Sequence, residues 1–217
     1  MSLKNRFTQP DLDRIKAAVK QAEENISGEI VPVFVERSGY YTIANYRGAM
    51  ITSALLFIVV IAMDRYASSP DVYDPLFIFL WVVLGGLVGA IAANSIVPLK
   101  RLLLSQTHMD QATRKRAENA FLVEEVFNTR HRTGIMIFVS FFEREVIVMA
   151  DRGISKVVDQ KEWDKIVRTI IEKIRVGKVT EGIESSILRC GEILLEKGFV
   201  KTHDDINELR DDLRVEN

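Results

Sequence analysis

The chain has 217 residues, of which 47% are hydrophobic and 27% are charged, and its formal net charge is −1. After the apolar runs described below are set aside, this length is enough for one domain of ordinary size, and a charge so close to zero gives no electrostatic basis for binding nucleic acid. The single cysteine, Cys190, excludes an internal disulfide and a thiolate metal site.

The first predicted elements are a helix and a strand. Thr8 to Asp11 resembles a capping box, apolar residues then recur at helical spacing up to Ile26, and Gly28 favours the end of the helix. The segment 29–36 is rich in Val, Ile and Phe and is typical of a strand. Because Pro32 cannot donate a backbone hydrogen bond, this strand is expected at a sheet edge or a bulge.

Two apolar runs, 48–63 and 76–98, interrupt the pattern of a water-soluble domain. As a helix, the second run is long enough to cross the ~30 Å hydrocarbon core. The first run reaches only roughly 24 Å, so it requires a thinned bilayer or anchoring by its flanks. Much of each run is apolar on every face, which favours a transmembrane hairpin over a pair of buried helices in a soluble protein. We predict such a hairpin over 48–99, with its loop at 64–75.

The distribution of basic residues predicts how this hairpin is oriented. The loop holds Arg65 against three Asp residues, whereas the outer flanks hold many more cations, namely Arg37, Arg47, Lys100, Arg101, Arg114, Lys115 and Arg116. Because cytoplasmic segments carry the excess of Lys and Arg, we expect a multi-pass protein of the cell membrane with both termini in the cytoplasm. Gly85 and Gly89 have the small-xxx-small spacing of closely packed membrane helices, although glycine is also simply common in such helices.

After the hairpin, helical spacing from Met109 to Phe127 predicts another helix. The segments 135–142 and 145–150 are dense in β-branched and aromatic residues and predict a strand hairpin, with a turn longer than Glu143-Arg144 because that pair is poor two-residue turn chemistry. Two further helices carry apolar stripes, listed as Trp163, Ile166, Ile170, Ile174 and Ile183, Ile187, Cys190, Leu194. We therefore predict an α/β fold, a mixed β-sheet flanked by helices, in which 29–36 joins the sheet of 135–142. Its two parts are 1–47 and 100–200, followed by a charged tail at 201–217.

Three stretches resemble the TPM domain family: Ile26 to Ile30, Asp151 to Ile154, and Arg175 to Ile183. The resemblance implies a sandwich-like α/β domain, and the inserted hairpin resembles a membrane-bound bacterial branch. Some members of the family are phosphatases, and others are linked to metal binding or to the assembly and repair of membrane complexes. This chain departs from the family pattern where acids are expected, with Ser155 in the first loop and Lys178 in the later motif. Acids hold the metal in metal-assisted phosphoryl transfer, so the departure weakens an enzymatic role.

The loop after the strand hairpin holds the candidate ligand-binding residues Asp151, Arg152, Gly153 and Asp159. Loops at strand ends often hold ligands, and an Arg there can grip a phosphate or a carboxylate. The alternative is a solvated turn at Asp151 and Arg152, with Asp159 capping the next helix. The histidines, His108, His131 and His203, lack the spacing of metal ligands. We expect no catalytic residue, no metal site and no cofactor, with weak Ca²⁺ or Mg²⁺ binding at this loop as the alternative.

Two functions stay open. The first is a non-catalytic binding or scaffold factor, held at the lipid bilayer, whose partner is another membrane protein or a second copy of itself. The second is a metal-assisted phosphatase acting at the loop around Asp151. The missing acids favour the first function. A transporter or channel is disfavoured, because neither span contains an ionisable residue.

Overall fold

The computed structural model describes residues 7–66, 74–201 and 208–216. The chain divides into two units, one formed by Met1–Ser38 with Asp110–Asn217 and the other by Gly39–Met109. The helices are α1 (Gln9–Glu23), α2 (Thr42–Tyr66), α3 (Pro75–Ser95), α4 (Val97–Leu102), α5 (Gln106–Val123), α6 (Arg152–Ser155), α7 (Gln160–Arg175) and α8 (Val179–Glu196). The strands are β1 (Glu29–Val35), β2 (Gly134–Ser140), β3 (Glu145–Ala150) and β4 (Arg214–Glu216).

The first unit is built on a four-stranded mixed sheet with the order β3-β2-β1-β4. β1 pairs in parallel with β2, with Val33 opposite Phe138 and Phe34 opposite Val139, and β2 pairs antiparallel with β3. The prediction that 29–36 joins the sheet of 135–142 is confirmed. The inserted segment Gly39–Met109 therefore separates two strands that are neighbours in space.

Helices cover both faces of this sheet. All residues of β1 and β2 are buried. One face, with Ile30 and Phe34, packs against the stripes of α1, α7 and α8, while the other, with Val31 and Val33, packs against Ala117 and neighbouring residues of α5. This follows from the alternation of side chains along a strand, because an apolar strand needs an apolar layer on each side. The predicted mixed sheet flanked by helices is confirmed.

The start of α1 agrees with the predicted capping box, whereas its end does not agree with the predicted stop. The backbone N of Thr8 donates to a carboxylate oxygen of Asp11 at 2.9 Å. The helix ends at Glu23, well before Gly28. Gly28 instead permits a close approach, because a Cβ there would lie 2.7 Å from Cδ1 of Leu194 and 3.1 Å from the carbonyl oxygen of Thr133.

Two strand predictions concern the edges of the sheet. β4 pairs with β1 only from Val33 onward, so β1 has one neighbouring strand at Pro32 but two neighbours beyond it. The predicted edge position is therefore correct for 29–32, which includes Pro32, and wrong for 33–35. β4 itself lies within 201–217, where the sequence predicts only a charged tail. The β2–β3 turn spans the four residues 141–144, with Arg144 in the left-handed region (φ 58°), which agrees with the prediction of a longer loop.

The second unit is an apolar helix pair followed by α4. The segments Thr42–Met63 and Pro75–Ser95 are long and apolar enough to cross a membrane. α2 begins before the predicted span, and α3 ends before position 98, because Ile96 is extended (φ −101°, ψ 100°) and α4 starts with proline in its first turn. The predicted loop 64–75 lies mostly outside the described residues.

Small residues bring α2 and α3 into close contact. A Cβ at Gly85 would lie 2.1 Å from Cδ1 of Leu56, and one at Gly89 would lie 2.0 Å from Oγ1 of Thr52 and 2.5 Å from the carbonyl oxygen of Gly48. The Thr52 hydroxyl lies 2.7 Å from the Gly85 carbonyl oxygen, to which it donates. The structure thus places both glycines of the small-xxx-small motif at a contact within this unit, where they allow the two backbones to approach.

Candidate functional site

Asp151 lies between β3 and α6, and its carboxylate interacts with groups inside the protein. Its side chain is 5% exposed. Oδ1 accepts a hydrogen bond from the backbone N of Arg152 at 2.7 Å and so caps the short helix. Oδ2 lies 3.0 Å from Nε of Arg132, close enough for an ion pair but without the alignment of a hydrogen bond. The prediction of a solvated turn is therefore wrong for Asp151, which is buried and paired.

Arg132 is the residue that the sequence analysis missed. Its backbone is left-handed (φ 58°), and its Nη1 donates to the carbonyl oxygen of Phe127 at 2.9 Å. The guanidinium carbon also lies 5.6 Å from the centroid of the Phe127 ring, within the range of a cation–π contact. These contacts hold Arg132 in place beside Asp151. The only signal in the sequence is a polar turn just before β2, and the pairing depends on the β2–β3 register.

Gly153 allows the loop before β2 to pack directly on α6. Its backbone N donates to the carbonyl oxygen of Arg132 at 3.0 Å. A Cβ at this position would lie 2.6 Å from that oxygen and 2.7 Å from the carbonyl oxygen of His131. Since backbone atoms cannot give way cheaply, Gly153 serves the close approach of two backbones, and its predicted part in ligand binding stays a prediction.

The other two candidates, Arg152 and Asp159, are exposed. Asp159 caps α7, since its Oδ1 accepts from the backbone N of Lys161 at 2.9 Å, as the alternative interpretation expects. Asp151 and Asp159 thus have different partners. The Arg152 side chain forms no ion pair with any residue in the described ranges. Of the four candidates, Arg152 alone presents a charged group that is not already used locally.

A second buried polar cluster lies at the carboxyl ends of β1 and β2, a usual ligand position in α/β sheets. The backbone N of Ser38 donates to Oε1 of Glu143 at 2.9 Å, and the Ser38 hydroxyl lies 2.9 Å from that of Ser140. The Ser140 hydroxyl donates in turn to Oε2 of Glu143. Because these groups satisfy one another's hydrogen-bonding capacity, the cluster links the turn 141–144 to the end of β1 and serves the structure of the domain.

The remaining residues with possible chemistry do not form a site. Within 7–66, 74–201 and 208–216, no group of three or more His, Cys, Asp and Glu residues is placed to hold a metal ion. His108 packs edge-on against Tyr41, with ring centroids 5.9 Å apart, and His203 lies outside the described residues. Cys190 is fully buried, and burial raises the pKa of its thiol to about 12. A thiol in this environment is inert.

Together these features define an α/β domain whose chain is interrupted by an apolar helix pair and whose loop after β3 is held by an internal ion pair. Residues 100–193 match the family model of the TPM domain, and the resemblance to that family is confirmed over this part of the chain. The NMR structure of the BA42 protein from the psychrophilic bacterium Bizionia argentinensis is similar in fold, with a TM-score of 0.59 and 18% identity over 97% of this chain and 95% of that chain. No curated protein matches the chain.

Proposed function

We propose that this TPM domain protein is anchored in a membrane and acts as a non-catalytic binding or scaffold factor for a membrane protein complex. The observation that carries the proposal is the use of the Asp151 carboxylate, which caps α6 and pairs with Arg132. A carboxylate committed in this way is poorly available to a metal ion or a nucleophilic water. The exposed Arg152 beside it has a guanidinium that can bind a carboxylate of a partner in bidentate fashion.

The apolar surface of α2 and α3 supports anchoring in the membrane. Large apolar side chains are exposed along both helices, including Leu55, Ile58, Val88 and Ile91. Such a surface is costly in water and stable in lipid. Together with the distribution of Lys and Arg, it favours the lipid bilayer as one partner, a two-span protein of the cell membrane, and both termini in the cytoplasm. The protein partner is then another membrane protein or a second copy of this chain.

The second candidate is a metal-assisted phosphatase acting at Asp151, and the match to the TPM family favours it. It requires Ca²⁺ or Mg²⁺ to be held largely by water, since Ser155 and Lys178 stand where the family pattern has acids. Lys178 pairs with Glu181 at 3.1 Å, so it places a cation where an acid would hold the ion. This geometry favours the scaffold role.

One comparison of variants separates the two candidates. The full-length protein and its Asp151→Ala and Arg152→Ala variants are assayed with a generic phosphomonoester, with and without Mg²⁺ or Ca²⁺, and the membrane proteins that co-purify with each are identified. We expect no metal-dependent turnover and a partner lost from Arg152→Ala but retained by Lys156→Ala, a matched loss of an exposed cation nearby. Robust metal-dependent turnover abolished by Asp151→Ala would contradict the scaffold role.

A further inference from the structure

A cavity of about 480 Å³ opens in the first unit where α1 ends and β1 begins. Among the described residues that line it, six are charged, namely Glu23, Glu24, Glu29 and Asp211 with Lys20 and Lys201. This volume is in the range of small-molecule sites. The cavity lies at the amino end of β1, whereas Ser38, Ser140 and Glu143 lie at the carboxyl ends of β1 and β2.

Glu23 is the key residue of this cavity. It is 7% exposed, so its carboxyl group is largely withdrawn from water. Oε1 accepts a hydrogen bond from the backbone N of Ile30 at 2.7 Å, which accounts for one oxygen. Oε2 is buried and has no hydrogen-bond partner among the described residues. A buried polar atom without a partner is costly, and a ligand that supplies a donor removes this cost.

The second buried acid of the cavity is Glu29, which is 8% exposed. Its Oε1 accepts from the backbone N of Glu208 at 3.0 Å, and the carboxylate also accepts from the backbone N of Leu209. Two bonds leave further acceptor capacity, because a carboxylate has about four lone-pair positions. Nζ of Lys201 donates to the backbone carbonyl oxygen of Glu23 at 3.2 Å. In the described part of the chain, neither Lys201 nor the exposed Lys20 forms an ion pair with the two buried carboxyl groups.

We infer that this cavity binds a small organic cation whose primary ammonium group is held by the carboxylates of Glu23 and Glu29. An ammonium carries three donors, which match an orphaned carboxylate oxygen and the spare lone pairs of its neighbour. Attraction between opposite charges is also stronger at a buried site than in water. The described acids do not form a three-ligand metal set, so an ammonium, which needs acceptors rather than a coordination shell, fits better than a divalent ion.

Release of a proton from Glu23 on binding is the signature that we expect when a cation is held by this carboxylate. Burial, together with the charges of Glu29 and Asp211, raises the pKa of Glu23 to about 8, against the opposing effects of the Ile30 hydrogen bond and Lys201. Burial also raises the pKa of Glu29. The free protein therefore holds a proton on Glu23 at neutral pH. A cation that binds the carboxylate must expel that proton, so affinity rises with pH until Glu23 is ionised.

The test is calorimetric titration of the full-length protein in nanodiscs with 1,5-diaminopentane, in two buffers of different ionisation enthalpy. We expect saturable binding with release of about one proton per amine, and an affinity that increases between pH 6.5 and pH 9. 1,5-Pentanediol, which has a similar shape but no charge, and Mg²⁺ alone are titrated in parallel and are expected not to bind.

Variants identify the groups involved. Glu23→Gln keeps an acceptor for the Ile30 backbone N, so it is expected to fold, to bind the amine about tenfold more weakly and to lose the proton release. Glu29→Gln is a second variant with weakened binding, and Glu172→Gln, which changes an exposed acid of α7 outside the lining of the cavity, is the control with unchanged affinity. The inference is overturned if the diamine does not bind, if the diol or Mg²⁺ binds instead, or if Glu23→Gln binds with unchanged affinity and proton release. None of these outcomes bears on the scaffold role of Arg152.

Discussion

The structural role of Asp151 predicts a measurable loss of stability when its carboxylate is removed. Asp151→Ala deletes the N-cap of α6, which is typically worth about 1 kcal/mol. It also removes the ion pair with Arg132, whose side chain is 46% exposed, so this pair adds only about 0–1 kcal/mol after screening by solvent. We therefore expect a total destabilisation of about 1–2 kcal/mol.

This loss is measured by thermal unfolding of the full-length protein, followed by circular dichroism in a fixed detergent. For a domain of this size, the expected loss lowers the midpoint by about 2–8 °C. Asp151→Asn is the matched control, because its amide oxygen still accepts from the backbone N of Arg152 and only the charge is lost. A midpoint unchanged in Asp151→Ala, or lowered as much by Asp151→Asn, would refute the capping role.

Three other substitutions test the packing and the buried charge. Gly89→Leu adds a side chain at a position where even a Cβ would lie 2.0 Å from Oγ1 of Thr52, so it should destabilise the α2–α3 pair by about 1–3 kcal/mol in detergent. Val88→Leu, at an exposed neighbouring position, is the control and should have little effect. Phe138→Ala empties a fully buried position between β2 and α5 and should cost about 3–5 kcal/mol in chemical denaturation. Because burial raises the pKa of Glu23 from its ordinary 4.5 to about 8, the folded chain binds more protons than the unfolded chain between these values. Stability should therefore fall as pH rises through this window, and Glu23→Gln should flatten that slope in denaturation curves recorded across pH; an equal slope in both proteins would contradict the assignment.

Much of the sheet could be predicted because its strands are marked by their own composition. β1 and β2 are continuous apolar runs, and two such runs must share a sheet to be covered. The composition of β4 does not indicate a strand, since Arg214–Glu216 has one apolar residue between two charged ones. It is a strand only because it pairs with Val33–Val35, and pairing over so long a sequence distance leaves no local signal.

The candidate site was predictable in position but not in its interactions. The sequence locates Asp151 at a strand end and Asp159 before a helix, and the capping role of Asp159 follows from residue type alone. The pairing of Asp151 with Arg132 requires the β2–β3 register, which sets Ile135 opposite Ala150 and so brings the preceding and following loops together. The burial of Glu23 is similar, since its place four residues after Val19 sets it beside the apolar stripe, but only the fold shows that its Oε2 lacks a partner.

Topology in the membrane is the property on which the proposed anchoring depends most directly. It is measured with single cysteines at Ser69, in the predicted loop, and at Ser2 and Asn217, all of which lie outside the described residues, using a membrane-impermeant maleimide on intact cells. The native Cys190 need not be removed, because it is fully buried and its thiol pKa is raised to about 12. We expect Ser69→Cys to be labelled on intact cells and Ser2→Cys and Asn217→Cys to be labelled only after lysis. Labelling of both terminal cysteines on intact cells would contradict the cytoplasmic placement of the domain, and failure of Ser69→Cys to react before lysis would contradict the hairpin itself.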